Sequence, residues 1–452
     1  MPDSSALGPP QVPVDLGPDP RSGQELPTVA ALCSSYFPGS HSQHTVDRFL
    51  MGYEYNGEMH YPPFRVVSMY VDQEPDRDLS RFRAEQFGVE LCPDITAALT
   101  LGTGKLAVDH VLLVCENGDY PTNEKGQVLY PRYEFFREVV EVFRASGRTV
   151  PVFNDKHLSY DWEKARWMYD QVQELQIPML AGSSLPVTWR LPDLELPLGC
   201  ELEEAVATYP DGVETYGIHV LEMLQAMVER RKGGETGIKA VQFLEGDAVW
   251  QAARDGRWSR SLFEEAMARN LPRSIVEVQP TWTREQLASA YTERGPVVAG
   301  TFEEAIARPA AFLLEYNDGL RAACILLDGA GDFNTAVRHR DGRVDSTLHF
   351  LPGGPESAYH GIQVHHIEEL FLNGRPNYPV ERTLLGTGAL AFLMDSRVDG
   401  QRRLETPELA VSYQVGETSQ HAQGPMPFHC PWAPHGLYEP LARGLGVWPE
   451  ED

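Results

Sequence analysis

Five polar side chains stand close together in one short stretch: Glu116, Asp119, Tyr120, Asn123 and Glu124. The stretch runs on to Arg132, is rich in turn residues, and follows the apolar run Val108–Cys115, which reads as a buried strand. Ligands in open α/β sheets bind at the carboxyl ends of the strands, so these five groups are candidates to line a cleft. Asp72 closes a second strand-like run, Arg65–Asp72. Two residues able to move protons take comparable places. Lys156 follows the strand-like TVPVFND, and burial in a cleft lowers a lysine pKa toward neutrality. His219, a side chain that exchanges protons near neutral pH, falls in the opening turns of the helix-like GVETYGIHVLEMLQAMVERR. His41 and His44, three apart on a first helix, can meet a ligand, although capping and packing are commoner uses. His365 and His366 are adjacent, point to different faces of a helix and so share no metal.

The elements that position these groups follow from periodicity. Thr28–Leu32, Arg65–Asp72, Val108–Glu116, TVPVFND and IPMLAGSS read as strands; SQHTVDRFLMGY, LSRFRAEQFGVE, DITAALTLG, YEFFREVVEVFRASG and DWEKARWMYDQVQELQ read as helices between them. That alternation predicts βαβ units and a doubly wound parallel sheet, a Rossmann-like domain over 27–195. The second half changes character. After the helix carrying His219, the runs GIKAVQFLEGDAVWQA, AAFLLEYNDG, LRAACILLD, DFNTAVRHRDG and VDSTLHFLP predict a largely antiparallel sheet, closed by helices within VHHIEELFLNGRPNYPVERTLLGTGALAFLMDS. The fold class is thus α/β followed by an α+β domain over 196–425, with a disordered arm at 1–26 and a tail at 426–452. An apolar strand such as Leu320–Leu327 needs both faces covered, which suggests an open sheet face used for self-association and a homo-oligomer.

Composition removes several classes of function. Of 452 residues 42% are hydrophobic and 23% charged, ordinary for a globular protein, but the net charge is −27. Nucleic-acid binding needs a Lys/Arg surface that this chain lacks, and anionic membranes are equally disfavoured. No run of about 18 apolar residues suggests a membrane span. Six cysteines lie scattered without CxxC pairs, which suits a reducing, cytoplasmic setting and gives no zinc module.

In order and spacing, three segments resemble the Gfo/Idh/MocA oxidoreductases. In FNDKHLSYDWEKARWMYDQVQELQIPMLAGSSLPVTWR, Asp155-Lys156-His157 occupies the family's Glu-Lys-Pro place and Arg190 that of a later Arg. YGIHVLE is similar to the family's Asp-x-Gly-x-His-x-x-Asp helix start: Gly217 and His219 match, Glu222 stands for the last Asp and Thr215 for the first. IEELFLNGRPNYPVERTLLGTGALAFLMDS resembles the closing helices. The resemblance covers most of residues 27–415. It implies a sugar, cyclitol or related polyol as small-molecule substrate, NAD or NADP as cofactor, and Lys156 and His219 beside the reacting carbon. Alcohol oxidation needs a base for the hydroxyl proton and a cation for the developing oxyanion, roles that suit this pair. Glu214 is a candidate replacement for the carboxylate lost at Thr215, and Arg190 and Thr215 are candidate substrate contacts alongside Asp119, Tyr120 and Asn123.

The departures matter as much. The family carries GxGxxG after its first strand, where glycines let backbone amides reach the pyrophosphate. Here the loop Cys33–His41 has one glycine and a bulky Tyr36-Phe37 pair. The dinucleotide contacts left to it are Ser35, Gly39 and His41, with Asp72 at the ribose position and Glu116 nearby. The resemblance implies a dinucleotide and the loop chemistry argues against one. Two further readings follow: a family-fold enzyme without dinucleotide doing elimination or hydrolysis, with a metal on His219, Glu222 and an insertion carboxylate as one form of it, and a ligand-sensing protein without turnover.

Overall fold

The computed structural model describes residues 19–210, 212–270, 301–329, 331–352 and 357–424. Strand β1 (Thr28–Ser35) leads into helix α1 (His41–Met51) and the hairpin β2 (Tyr53–Tyr55) and β3 (Glu58–His60). Then come β4 (Arg65–Gln73), α2 (Ser80–Phe87), β5 (Glu90–Leu91), α3 (Ile95–Thr100), β6 (His110–Val114), α4 (Arg132–Ser146), β7 (Val152–Asp155), α5 (Trp162–Leu175) and β8 (Met179–Gly182). Six of these strands form one parallel sheet in the order β5-β4-β1-β6-β7-β8. The chain starts at β1, winds out to β5, returns and continues from β6 to β8. The strand order therefore reverses between β1 and β6, the place where such sheets hold ligands.

Local chemistry explains the element ends. Ser40, Asp94 and Asp161 each accept an amide of the first turn of the helix they precede, satisfying donors the helix cannot pair itself. Helix α4 stops where Gly147 turns left-handed at φ 62°.

The second sheet is mixed and mostly antiparallel. Its strands are β9 (Trp189–Leu191), β10 (Leu202–Tyr209), β11 (Ile238–Glu245), β12 (Ala310–Tyr316), β13 (Arg321–Leu326), β14 (Asn334–His339), β15 (Val344–Phe350) and β16 (Leu404–Glu405). They run in the order β16-β11-β12-β13-β10-β14-β15-β9, and only β10 and β13 pair in parallel. Helices α6 (Gly217–Val228), α7 (Asp247–Arg254), α8 (Arg260–Met267), α9 (Phe302–Ala305), α10 (Tyr359–Asn373) and α11 (Glu381–Val398) complete the fold.

Several expectations change here. DAVWQA continues no strand: Gly246 takes φ 63° and Asp247 opens a helix. Strand β10 is central, yet the adjacent acids in LEEAVATY hide it from a period-two reading. The face expected to stay open for self-association is covered by the chain itself. Val206, Leu313, Ala323 and Ile325 pack with Val249, Trp250, Leu262 and Phe263 of α7 and α8, while Ala205, Phe312 and Cys324 face α6 and α11. Helix α10 belongs to the first domain's packing, its Ile362, Ile367 and Phe371 sharing a core with Val29 and Phe49. The proposed arm at 1–26 falls mostly outside the described residues. Its described end is anchored, with the Arg21 guanidinium donating to the carbonyls of Phe49, Leu50 and Pro62 at 2.7–3.0 Å. The proposed tail lies wholly outside. No helix among the described residues is long and apolar enough to cross a membrane.

The two halves meet at the end of β8. Gly182 has φ 120°, and a Cβ there would lie 2.7 Å from both Glu222 carboxylate oxygens and from Thr383 Oγ1. Gly182→Ala should therefore cost about 2–4 kcal/mol, combining backbone strain with overpacking. Urea unfolding measures it, and an unchanged midpoint would contradict this packing.

Candidate active site

Lys156 follows β7 directly. Its backbone is left-handed, φ 58°, a conformation that costs a side-chain-bearing residue about 1–3 kcal/mol and persists where the surroundings enforce it. Here its N–H donates to Gly182 O at 3.1 Å. The ammonium Nζ donates to Glu116 at the end of β6, and the other Glu116 oxygen takes the guanidinium of Arg132, the first residue of α4. Lys156 is 3% exposed and Arg132 0%, so two cations share one carboxylate away from water. Arg132 also donates to His157 Nε2 at 3.3 Å. Burial and the charges of Arg132 and Lys156 hold His157 well below the usual imidazole range.

His219 arrives from the other half of the chain, on the first turn of α6. Its Nδ1 lies 2.5 Å from Ser183 Oγ, and the Ser183 N–H donates to Glu222 Oε2 at 2.5 Å. Burial, then the charges of Lys156, His41 and Arg132, hold His219 well below its ordinary range. It is an uncharged imidazole at neutral pH, within the field of Lys156. Glu214, in the turn before α6, is pushed up to about 7 by burial and by Glu116. Tyr130 shares the charges of Glu116, Arg132 and Glu214, and burial lifts its phenol to about 12. A paired ammonium, a neutral imidazole and a carboxyl raised to about 7 thus lie within electrostatic reach of one another around Lys156.

The Cys33–His41 loop solves its crowding in an unexpected way. Tyr36 turns into the core, 0% exposed, and its hydroxyl donates to Asp47, which Arg83 also binds at 2.8 Å. The amides a pyrophosphate would use are taken. Phe37 and Gln43 N–H donate to Ser40 Oγ, both at 3.1 Å; Gly39 N–H donates to Gln43 Oε1 at 2.6 Å and His41 N–H to Asn117 Oδ1 at 2.9 Å. Ser34 Oγ donates to Asn117 O at 2.6 Å, so Asn117 joins the loops after β1 and β6 across the point where the strand order reverses. At the ribose position both Asp72 oxygens are occupied, by Tyr70 at 2.8 Å and Tyr120 at 2.7 Å. In this arrangement the residues around the crevice do not fit a dinucleotide.

The other sequence candidates divide clearly. Lys156, Glu116, Glu214 and His219 come together. His41 joins them through Asp155, its Nδ1 2.8 Å from Asp155 Oδ2, and does not share a ligand with His44; both rings instead pack on His360, at 5.2 and 4.9 Å. Ser35 is buried behind the loop, its hydroxyl unpartnered among the described residues. Tyr120 closes the crevice over Asp72. Asp119 only exchanges backbone contacts with Gln73, at 2.8 and 3.2 Å, and Asn123 shapes its own turn by accepting the Lys125 and Gln127 amides at 3.0 Å. Glu124 and Thr215 are exposed. Arg190 lies elsewhere: it donates to Leu194 O at 2.8 Å, and burial, amid Glu195, Arg382 and Arg230, lowers it to about 10. His365 stacks on Tyr55 while His366 bonds Asn377 and the Gln420 carbonyl. No grouping of three metal-ligating side chains occurs among the described residues. Sequence reading missed Arg132, Asn117 and Ser183, because each acts through loop closure and carries no local pattern.

No family model matches the chain, and no curated protein matches it by sequence. Among solved structures it is similar to GenD2 from gentamicin A biosynthesis in complex with NAD, at 13% identity and TM-score 0.49, over 86% of this chain and 99% of that one. It is similar to an inositol dehydrogenase homolog from Azotobacter vinelandii complexed with NADH and myo-inositol, at 12% identity and TM-score 0.48, over 84% and 98%. Similar too is myo-inositol dehydrogenase from Lactobacillus casei in complex with NAD(H) and myo-inositol, at 10% identity and TM-score 0.48, over 88% and 100%. These likenesses concern the fold alone.

Burial pushes Glu222, like Glu214, up to about 7 from an ordinary 4.5. Across that window the folded chain keeps protons the unfolded chain has released, so stability falls as pH rises from about 4.5 to about 7. Glu222→Gln should flatten the decline, read as urea midpoints at about pH 5 and about pH 8. Equal declines in both proteins would contradict the assignment.

Proposed function

We propose that this chain is an enzyme acting on a sugar, cyclitol or related polyol, with proton chemistry at Lys156, His219 and Glu214. The observation that supports the reading is that Glu214 and His219, from the second half of the chain, both lie within electrostatic reach of Lys156 from the first. Lys156, charged against Glu116, stabilises negative charge that develops on a substrate oxygen. The uncharged His219 accepts a proton through Nε2, its Nδ1 side being held by Ser183. Glu214, raised to about 7 by burial and Glu116, is a second group able to exchange protons near Lys156.

Two reactions fit this machinery. In an oxidoreductase, which the fold-level likeness supports, NAD or NADP would supply the hydride acceptor. The occupied loop amides favour the second, a cofactor-free elimination: His219 removes the proton α to a carbonyl or carboxylate of the sugar derivative, the negative charge gathers on that oxygen beside Lys156, and its return forms the C=C bond as the neighbouring hydroxyl leaves.

Inositols, aldoses and aldonates incubated with the enzyme, with and without NAD or NADP, separate the two by proton NMR and NADH absorbance. The expected result is cofactor-independent loss of a C–H signal, falling at least about 100-fold in Lys156→Met and His219→Gln, with circular dichroism confirming that both remain folded. Turnover only with dinucleotide would return the oxidoreductase. No turnover of any polyol in either arm would contradict the substrate class.

A further inference from the structure

An elimination needs an acid for the departing hydroxyl as well as a base, and the pocket so far supplies only the base. We infer that His41, held by Asp155, is that acid, so that the helix start which would cradle a dinucleotide carries a catalytic imidazole instead. The inference rests on the elimination reading.

The geometry is that of an oriented dyad. Asp155 is 1% exposed and lies 2.8 Å from His41 Nδ1. Its other oxygen has no hydrogen-bond partner among the described residues, so His41 is the side chain this carboxylate serves. A carboxylate on Nδ1 fixes the ring's tautomer and stabilises its protonated form, leaving Nε2 to face the substrate. Nε2 of His41 has no partner among the described residues, and the side chain keeps 19% exposure where Asp155 is sealed. The ring plane is fixed by an edge-on contact with His360, itself stacked on His44. An imidazole pinned on two sides with one nitrogen open is built for proton transfer.

His41 also lies within electrostatic reach of the same groups. Asp155 immediately precedes Lys156, and burial aside, it is His41, Lys156 and Arg132 that hold the Asp155 carboxyl below its usual range. His219 feels the charges of Lys156 and His41 together. The balance of the reaction is then complete. The C–H proton goes to His219, the electron pair forms the C=C bond, the C–O bond breaks, and the leaving oxygen takes the proton from His41 Nε2 to depart as water.

Diethyl pyrocarbonate, followed by peptide mass spectrometry, tests the dyad without needing turnover. At about pH 8, where imidazole rings react as the free base, His41 should be the fastest-reacting histidine of the full-length protein, and Asp155→Asn, which removes the carboxylate from Nδ1, should slow it at least about tenfold, about 1.4 kcal/mol. A His41 no faster than the half-buried His60, or unchanged by Asp155→Asn, would overturn the proposal. A second arm uses a β-fluoro aldonate, whose fluoride leaves without proton donation. His41→Gln should lose water elimination but keep fluoride release, whereas His219→Gln loses both. Equal loss of both in His41→Gln would assign it a structural role. Failure of the wild type to release either would sink the elimination reading, while the modification arm still decides the dyad.

Discussion

Everything at the centre of this molecule is arranged around one buried carboxylate. Glu116 binds Lys156 through one oxygen and Arg132 through the other, and none of the three could be buried without its partners. Removing one member of such a group leaves a charge stranded, at a cost of about 3–5 kcal/mol. The constraint fixes distant pieces at once. Arg132 must open α4 under the loop that follows Glu116, and Lys156 must adopt a left-handed backbone to reach across from β7. The same positive field keeps His219 neutral and lets His41 and Asp155 stand as a pair. An uncharged imidazole and a buried, paired ammonium are two results of one electrostatic arrangement.

A second consequence is a crevice with little left to offer a diphosphate. Ser40, Gln43 and Asn117 satisfy the amides at the start of α1, and Tyr70 and Tyr120 satisfy Asp72. These are complete hydrogen-bond arrangements, and a ligand would have to replace each with something at least as good. The polar insertion after β6 does this work: Asn117 and Tyr120 come from it, while its outer acids Asp119 and Glu124 face solvent. The protein keeps the architecture of a dinucleotide-binding fold and spends its ligand edge on its own side chains.

How much of this could be read from sequence depends on whether a feature is local. The βαβ alternation, the helix stop at Gly147 and the apolar strands of the second sheet are periodic or point signals, and they hold. Lys156 and His219 were legible because the motifs around them are contiguous. Strand β10 was not, since two neighbouring acids mask a strand whose burial comes from the helices laid over it. Arg132, Asn117 and Ser183 were silent for a different reason: their partners are 15 or more positions away and are brought close only by the folded loops. Arg190 shows the reverse failure, a residue in a family position whose side chain serves Leu194 and a separate buried charge cluster.

The central claim is that this pocket does proton chemistry on a fold whose dinucleotide crevice is filled by the chain's own residues. Calorimetric titration of the intact protein with NAD, NADH, NADP and NADPH tests it most directly. The account predicts no saturable heat up to millimolar concentrations for any of the four. Saturable binding in the micromolar range, abolished by changing Asp72, would contradict it.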